Sequence, residues 1–237
     1  MNQLEMVAKS YDKGIIEHGN KDFPSYDNLP DYITDDPDYI KYKMELESGG
    51  ANNGSEAVEI KDYLLPERGM NFVDLGCSLN LMFKGYDEWA STYYGVDISK
   101  KTIELLNAFV AKKNLSIGSL YCGSVHDMPF DDNAFDIGAC IGVLEYFEKD
   151  FVETAIREAH RVIKPNGKFV LDIPNISSST GRMMMRIEEY LGRCEMFDLL
   201  PHEFEVVLQK YFKIEKSSRV GIESEDMGFG YYLRCKK

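Results

Sequence analysis

The segment NFVDLGCSLN, residues 71–80, decides how this chain folds. Asn71–Leu75 is a short apolar run closed by Gly76, the pattern of a buried strand. A helical stretch is expected to follow, through Trp89. A glycine at a strand-to-helix switch lets a ligand approach the backbone, and the start of the helix offers unpaired N–H groups. A second apolar run, Thr92–Val96, ends in Asp97 within GVDIS, residues 95–99. An acidic residue at that place can accept hydrogen bonds from both hydroxyls of a ribose. Asp97 lies 97 − 74 = 23 residues beyond Asp74, close to the about 20 expected in a nucleotide-binding βαβ unit. Each site alone is weak, since DxG turns and strand-ending aspartates are common. In register within one βαβ unit, they predict a nucleoside site.

Outward from this unit the chain alternates regularly. Upstream, Glu56–Leu65 reads as a helix stopped by Pro66. Downstream, Lys100–Lys113 is an amphipathic helix and Ser119–Cys122 a weaker third strand. Phe135–Ile141 is a fourth strand, and Asp150–Ile163 a helix with Phe151, Ala155, Ala159 and Val162 on one face. Pro165-Asn166-Gly167 is read as a turn before a fifth strand, Lys168–Ile173. Arg182–Arg193 and Glu203–Tyr211 read as helices. Lys213–Arg219 and Tyr231–Lys236 are final strands, too close in sequence for a helical crossover and so expected to pair antiparallel. The fold class is α/β: a doubly wound, mostly parallel seven-stranded sheet with one antiparallel C-terminal strand. Residues 1–55 differ, being rich in Tyr, Asp, Asn, Gly and Pro. They read as an N-terminal arm with helical patches at Leu4–His18 and Asp38–Glu47, then a flexible loop at Ser48–Ser55. The domain proper is expected over 56–237, with 174–200 as a substrate-side insertion.

Composition narrows the function. The 237 residues carry a net charge of -13, which lacks the electrostatic footprint of a nucleic-acid binder. No apolar run approaches the roughly 20 residues that span a bilayer, and the N-terminus has no signal-peptide core. A cytoplasmic protein without membrane insertion is expected. The cysteines are Cys77, Cys122, Cys140, Cys194 and Cys235, with no CxxC pair, which argues against a zinc site or a disulfide framework.

Four blocks, in order, now carry a family resemblance. They are Val73–Asn80, Gly95–Ser99, Gly123–Asp136 (GSVHDMPFDDNAFD), and Gly142–Phe147 (GVLEYF) continued by Arg157–Gly167 (REAHRVIKPNG). The chain resembles the class I S-adenosylmethionine-dependent methyltransferases, nearest in pattern to the small-molecule branch with ubiquinone- and menaquinone-biosynthesis-type enzymes. The resemblance covers residues 56–173 well and implies a Rossmann-like fold, S-adenosylmethionine as cofactor, S-adenosylhomocysteine as product and a small-molecule acceptor. It further implies that Asp74, Gly76, Cys77 and Ser78 form the cofactor loop, with Gly76 and Cys77 along the methionine moiety. Asp97 would hold the ribose and Ile98 pack on adenine. Ser124, Val125 and His126 would border the adenine, and Cys140 and Ile141 would sit near the methionine amino group. Tyr146 and Tyr11 are the acceptor-side candidates. The family's glycine loop reads D-x-G-x-G-x-G; here Ser78 and Asn80 replace its later glycines, and Ser124 replaces an aspartate. Asn80 is the substitute suited to a left-handed backbone.

Alternatives remain open at this stage. A cofactor-binding but catalytically idle or regulatory protein fits the degenerate loop. A nicotinamide oxidoreductase is disfavoured because G-x-G-x-x-G is missing. His160 reads as structural, and His126 as packing on adenine. Tyr11, Tyr26, Tyr32, Tyr39 and Tyr42 either line an acceptor pocket or anchor the arm. Met183-Met184-Met185 either forms a greasy pocket or packs one helix on another.

Overall fold

The computed structural model describes residues 2–18, 29–47, 55–190, 192–193, 196–220 and 226–237. Tyr26, Cys194 and most of the expected loop at 48–55 lie outside them. The chain opens with α1 (Gln3–His18), α2 (Asp31–Thr34), α3 (Pro37–Glu47) and α4 (Ser55–Leu64). The sheet then builds through β1 (Asn71–Leu75), α5 (Asn80–Phe83), β2 (Thr92–Asp97), α6 (Lys100–Lys113), β3 (Ser119–Cys122), β4 (Phe135–Cys140), α7 (Lys149–Val162) and β5 (Ile163–Pro174). It closes with α8 (Ser179–Tyr190), α9 (Pro201–Tyr211), β6 (Phe212–Val220) and β7 (Gly228–Cys235).

The strand order is β3-β2-β1-β4-β5-β7-β6. All neighbours pair parallel except β7, which runs antiparallel between β5 and β6. The antiparallel pairing of the last two strands is as expected. Strand alternation feeds two cores. Val73 and Leu75 face α7 residues Val152, Ala155, Ile156, Ala159 and Val162 and α9 residues Phe204 and Leu208. Phe72 faces Ile60 and Leu64 of α4, Leu106 of α6, and Tyr86, Trp89 and Tyr93. With both faces covered, the parallel strands must be apolar throughout. The order reverses between β1 and β4, and the crevice for a ligand opens beyond their carboxyl ends.

Three local expectations change. The helix through Trp89 is broken: α5 is one turn, and Gly85 at φ +70° leads into a separate 3-10 turn over Tyr86–Glu88. On α7 the buried face uses Val152 and Ile156 with Ala155, Ala159 and Val162. Phe151 lies off that face and stacks on Phe147, with centroids 3.8 Å apart. Pro165-Asn166-Gly167 does not separate two elements; it lies within β5, where the β4–β5 register shifts and Asn166 takes φ +65°.

The arm is fastened to the domain. Asp12 of α1 accepts from the Ser99 hydroxyl at 2.6 Å and from the Lys101 N–H at the start of α6. The Gln3 side-chain amide donates to the Tyr146 carbonyl at 2.7 Å. Ile33 and Tyr42 are buried with Met183, Ile187 and Met227, so Met183 and Met184 pack α8 on the arm, while Met185 packs on the main core. Tyr42 is an anchor, Tyr39 packs beside it and Tyr32 is largely exposed; among the described arm tyrosines Tyr11 reaches the central crevice.

Candidate active site

A cavity lies at the carboxyl ends of β1, β2 and β4. The strand-end residues Gly76, Ser78, Asp97, Ile98, Gly123, Ser124, Val125 and Ile141 line it. Val7 and Tyr11 of α1 line it as well, with Gly142, Val143, Tyr146 and Phe147 from the segment after β4.

The turn after β1 is held by a short set of hydrogen bonds. Gly76 takes φ +69°, and its N–H and that of Cys77 both donate to the Val96 carbonyl, at 2.8 and 2.9 Å. A Cβ on Gly76 would sit 2.1 Å from Val143 Cγ2, so only glycine fits. The Asp97 carboxylate is fixed at both oxygens. Oδ2 accepts the Ser78 N–H and Oδ1 the Ser99 N–H, each at 2.8 Å. A carboxylate oxygen offers about two lone-pair sites, so a group of this kind can accept from backbone N–H groups and from a diol together. Ser99 in turn caps α6 by accepting the Thr102 N–H at 3.0 Å.

The left-handed backbone falls elsewhere than the sequence suggested. Ser78, not Asn80, takes positive φ, at +36°. Asn80 starts α5 and donates its side-chain amide to the Asp74 carboxylate. Asp74 also accepts the Tyr93 hydroxyl at 2.9 Å. Burial raises its carboxyl to about 7, against the pull of Tyr93 and Asn80. Asp74 therefore braces the loop from beneath and does not line the cavity.

Three further candidates also stand back from it. Cys77 is fully buried on the α4–α6 side, where its Sγ crowds Gly95. Cys140 points into the α7 core among Leu75, Leu144 and Ala155. His126 sits beside the Phe151 ring and shares a 2.6 Å hydrogen bond with Ser124. Strand alternation sends Cys140 inward while Ile141, one residue on, reaches the cavity. His160 packs near Tyr211 and Phe212, in keeping with a structural role.

Around Tyr146 lies a polar cluster that sequence reading found only in part. The Tyr11 hydroxyl donates to the Tyr146 hydroxyl at 2.9 Å. Arg193 reaches the same Tyr146 oxygen at 3.4 Å, lies over the Tyr11 ring and pairs with Glu188 at 2.6 Å. Glu145 stands beside them, and its carbonyl accepts the N–H groups of Met196 and Phe197. Burial, foremost, pushes both tyrosine hydroxyls above the ordinary phenol range. Glu145 belonged to the quoted GVLEYF block; Val7 and Arg193 carried no local signal, because only the tertiary fold brings α1 and the segment after α8 here.

Residues 73–171 match the model of a methyltransferase domain family. Over those residues the chain resembles a methyltransferase domain. It is similar to an uncharacterized methyltransferase, YcgJ, of Bacillus subtilis (strain 168), at 28% identity over 42% of this chain and 38% of that protein. It is also similar to the demethylmenaquinone methyltransferase of Geobacillus sp. (strain WCH70), at 35% identity over 32% of each. The chain thus spans about a third to two fifths of the length of these curated relatives. Among solved structures it resembles geranyl diphosphate C-methyltransferase from Streptomyces coelicolor A3(2), crystallised with Mg2+, geranyl-S-thiolodiphosphate and S-adenosyl-L-homocysteine. That likeness has a TM-score of 0.69 at 14% identity, covers 99% of this chain and 98% of that one, and is a likeness of fold. Among the described residues no helix is long and apolar enough to cross a membrane, and no group of three or more His, Cys, Asp or Glu is placed to hold a metal.

Proposed function

We propose that this chain binds S-adenosylmethionine in the cavity beyond β1, β2 and β4 and transfers its methyl group to a small-molecule acceptor. One observation carries the reading: the glycine turn, the Asp97 carboxylate and the Ser124–Val125 segment face a single cavity. The residues fit the group. Gly76 leaves the backbone bare where a ligand must come close, and Asp97 is held in place to receive two ribose hydroxyls. Ile98 and Val125 offer apolar surface for a purine, and Ser124 a hydroxyl beside it. Val7 and Tyr11, from the arm over residues 1–55, line the site, and Arg193, from the substrate-side insertion over 174–200, reaches the Tyr146 hydroxyl behind it.

When bound, the cofactor's sulfonium supplies an already activated methyl group. The protein's part is then orientation and exclusion of water. Asp97 and the glycine turn fix the donor end. Val143, Phe147 and Tyr146 form a mostly apolar wall that a small acceptor would pack against. The net charge of -13 favours such an acceptor over a phosphate backbone.

Calorimetric titration with S-adenosylmethionine and S-adenosylhomocysteine tests this. Both should bind, and Asp97→Asn should weaken both by roughly 10- to 100-fold, the range for losing hydrogen bonds to a charged group. No binding of either at millimolar concentration would end the proposal.

A further inference from the structure

The cavity lining after β4 has its own chemistry. Gly142 lines the cavity, and a Cβ placed on it would meet just one atom within 4 Å, Glu145 Oε1 at 3.7 Å. With no side chain there, only the bare Gly142 backbone stands beside that carboxylate at the cavity's edge. Glu145 keeps part of its surface accessible although it is enclosed by protein. We propose that Glu145 is the proton acceptor of this site, and that the methylated molecule is one whose nucleophilic atom, an oxygen or nitrogen, carries a proton to lose. The proposal rests on the methyltransferase reading and names the class of its acceptor.

The neighbours support the assignment. Tyr11 from α1 and Tyr146 are held in their neutral forms by burial, which disqualifies them as bases at ordinary pH. Arg193 is engaged with Glu188 at 2.6 Å, so its charge is shared before it reaches Glu145. Burial, reinforced by Glu188 and opposed by the residue's own backbone N–H, by Arg193 and by the Tyr146 hydroxyl, lifts the Glu145 carboxyl well above the ordinary carboxylate range. Cys140 at the end of β4, its thiol pushed up by burial, and Asp172 on β5, which accepts the Gly142 N–H at 2.8 Å, complete the ionisable groups around it. A base whose affinity for protons lies near the working pH is the effective kind. Tyr146 has a separate task. Its oxygen accepts from Tyr11 and Arg193 and its own proton bonds the Glu145 side chain, so it positions that carboxylate.

The step balances. The acceptor's X–H bond breaks and its proton passes to Glu145 Oε1. The electron pair left on X forms the bond to the methyl carbon as the carbon–sulfur bond breaks. The departing pair stays on sulfur, giving neutral S-adenosylhomocysteine, and Glu145 later returns the proton to solvent.

The test needs no acceptor. S-adenosylmethionine carries a positive sulfur and S-adenosylhomocysteine does not, while their remaining charges match. A carboxyl facing the transfer point is partly protonated in the free protein and loses its proton when the sulfonium arrives. Titrations near pH 6.5 in buffers of different ionisation enthalpy should show more proton release with S-adenosylmethionine than with S-adenosylhomocysteine. Glu145→Gln should abolish the excess, and Tyr146→Phe should keep it. In the unaltered protein, the preference for the methionine form should strengthen at least threefold from pH 6 to pH 8, a readout that survives if Glu145→Gln fails to fold. Equal proton release by both ligands and a pH-independent preference would overturn the Glu145 assignment. Failure of both ligands to bind would instead strike the underlying cofactor reading.

Discussion

The contact between Gly76 and Val143 gives the sharpest quantitative expectation. Gly76→Ala sets a Cβ 2.1 Å from Val143 Cγ2, against an optimal carbon–carbon separation of about 3.5–4.0 Å. Val143 must retreat by more than an ångström or the turn must open. Overpacking of this kind costs about 1–3 kcal/mol. Holding alanine at φ +69° adds about 1–2 kcal/mol. The sum, roughly 2–5 kcal/mol, lowers Tm by roughly 5–15 °C for a chain of this size. Both residues line the cavity, so S-adenosylhomocysteine affinity should fall at least about tenfold. Adding Val143→Ala removes the collision and leaves the backbone strain. The double variant should therefore be more stable than the Gly76→Ala single, although Val143→Ala alone is destabilising. A double-mutant cycle by thermal melts and calorimetry measures that coupling. If Gly76→Ala melts and binds like the parent, or if Val143→Ala makes it worse by its full separate cost, the close approach of the turn to Val143 is wrong.

Two further outcomes follow from the same loop. Ser78→Gly relieves a side chain held at φ +36° and should raise stability by about 0.5–1 kcal/mol in urea unfolding, even after glycine's greater freedom in the unfolded chain is counted. Asp74 retains its proton to about 7 in the folded chain and loses it near 3.8 when unfolded. Native protein therefore binds more protons than unfolded protein across that window, and its stability falls as pH rises through it. Asp74→Asn removes this term, so relative to the parent the variant should gain about 2 kcal/mol between pH 5 and pH 7, read from urea midpoints.

The parallel half of the sheet was legible because each strand there is a separate apolar run closed by a turn signal, as in NFVDL before Gly76 and TYYGV before Asp97. Lys100–Lys113 was readable to the residue, since Ser99 caps its start and Asn114 in the left-handed region ends it. Phe151 misled because helical spacing admits either Phe151 or Val152 beside Ala155, and only the sheet decides which faces inward. At the cavity, the lining from the strand ends was legible through local blocks whose residues lie near each other in sequence. Asp74, Cys77, His126 and Cys140 were placed correctly on the chain, but side-chain direction depends on strand parity and packing. The Glu145–Tyr146–Tyr11–Arg193 cluster draws on segments up to 182 residues apart, from Tyr11 to Arg193, so no local pattern could reveal it.

The two parts of the cavity lining answer to different constraints. Gly76, Asp97 and Ser124 sit at strand ends whose positions are locked by backbone register, and shifting any of them disturbs the sheet. Val7 and Tyr11 sit on a helix that no strand pairing governs, held by polar latches at Gln3 and Asp12. Chemical diversification can thus proceed at the arm while the machinery for the methyl donor stays untouched. Grafting a different first helix, with the Asp12 and Gln3 latches kept, would recast the range of accepted molecules and leave affinity for the donor nearly as it was.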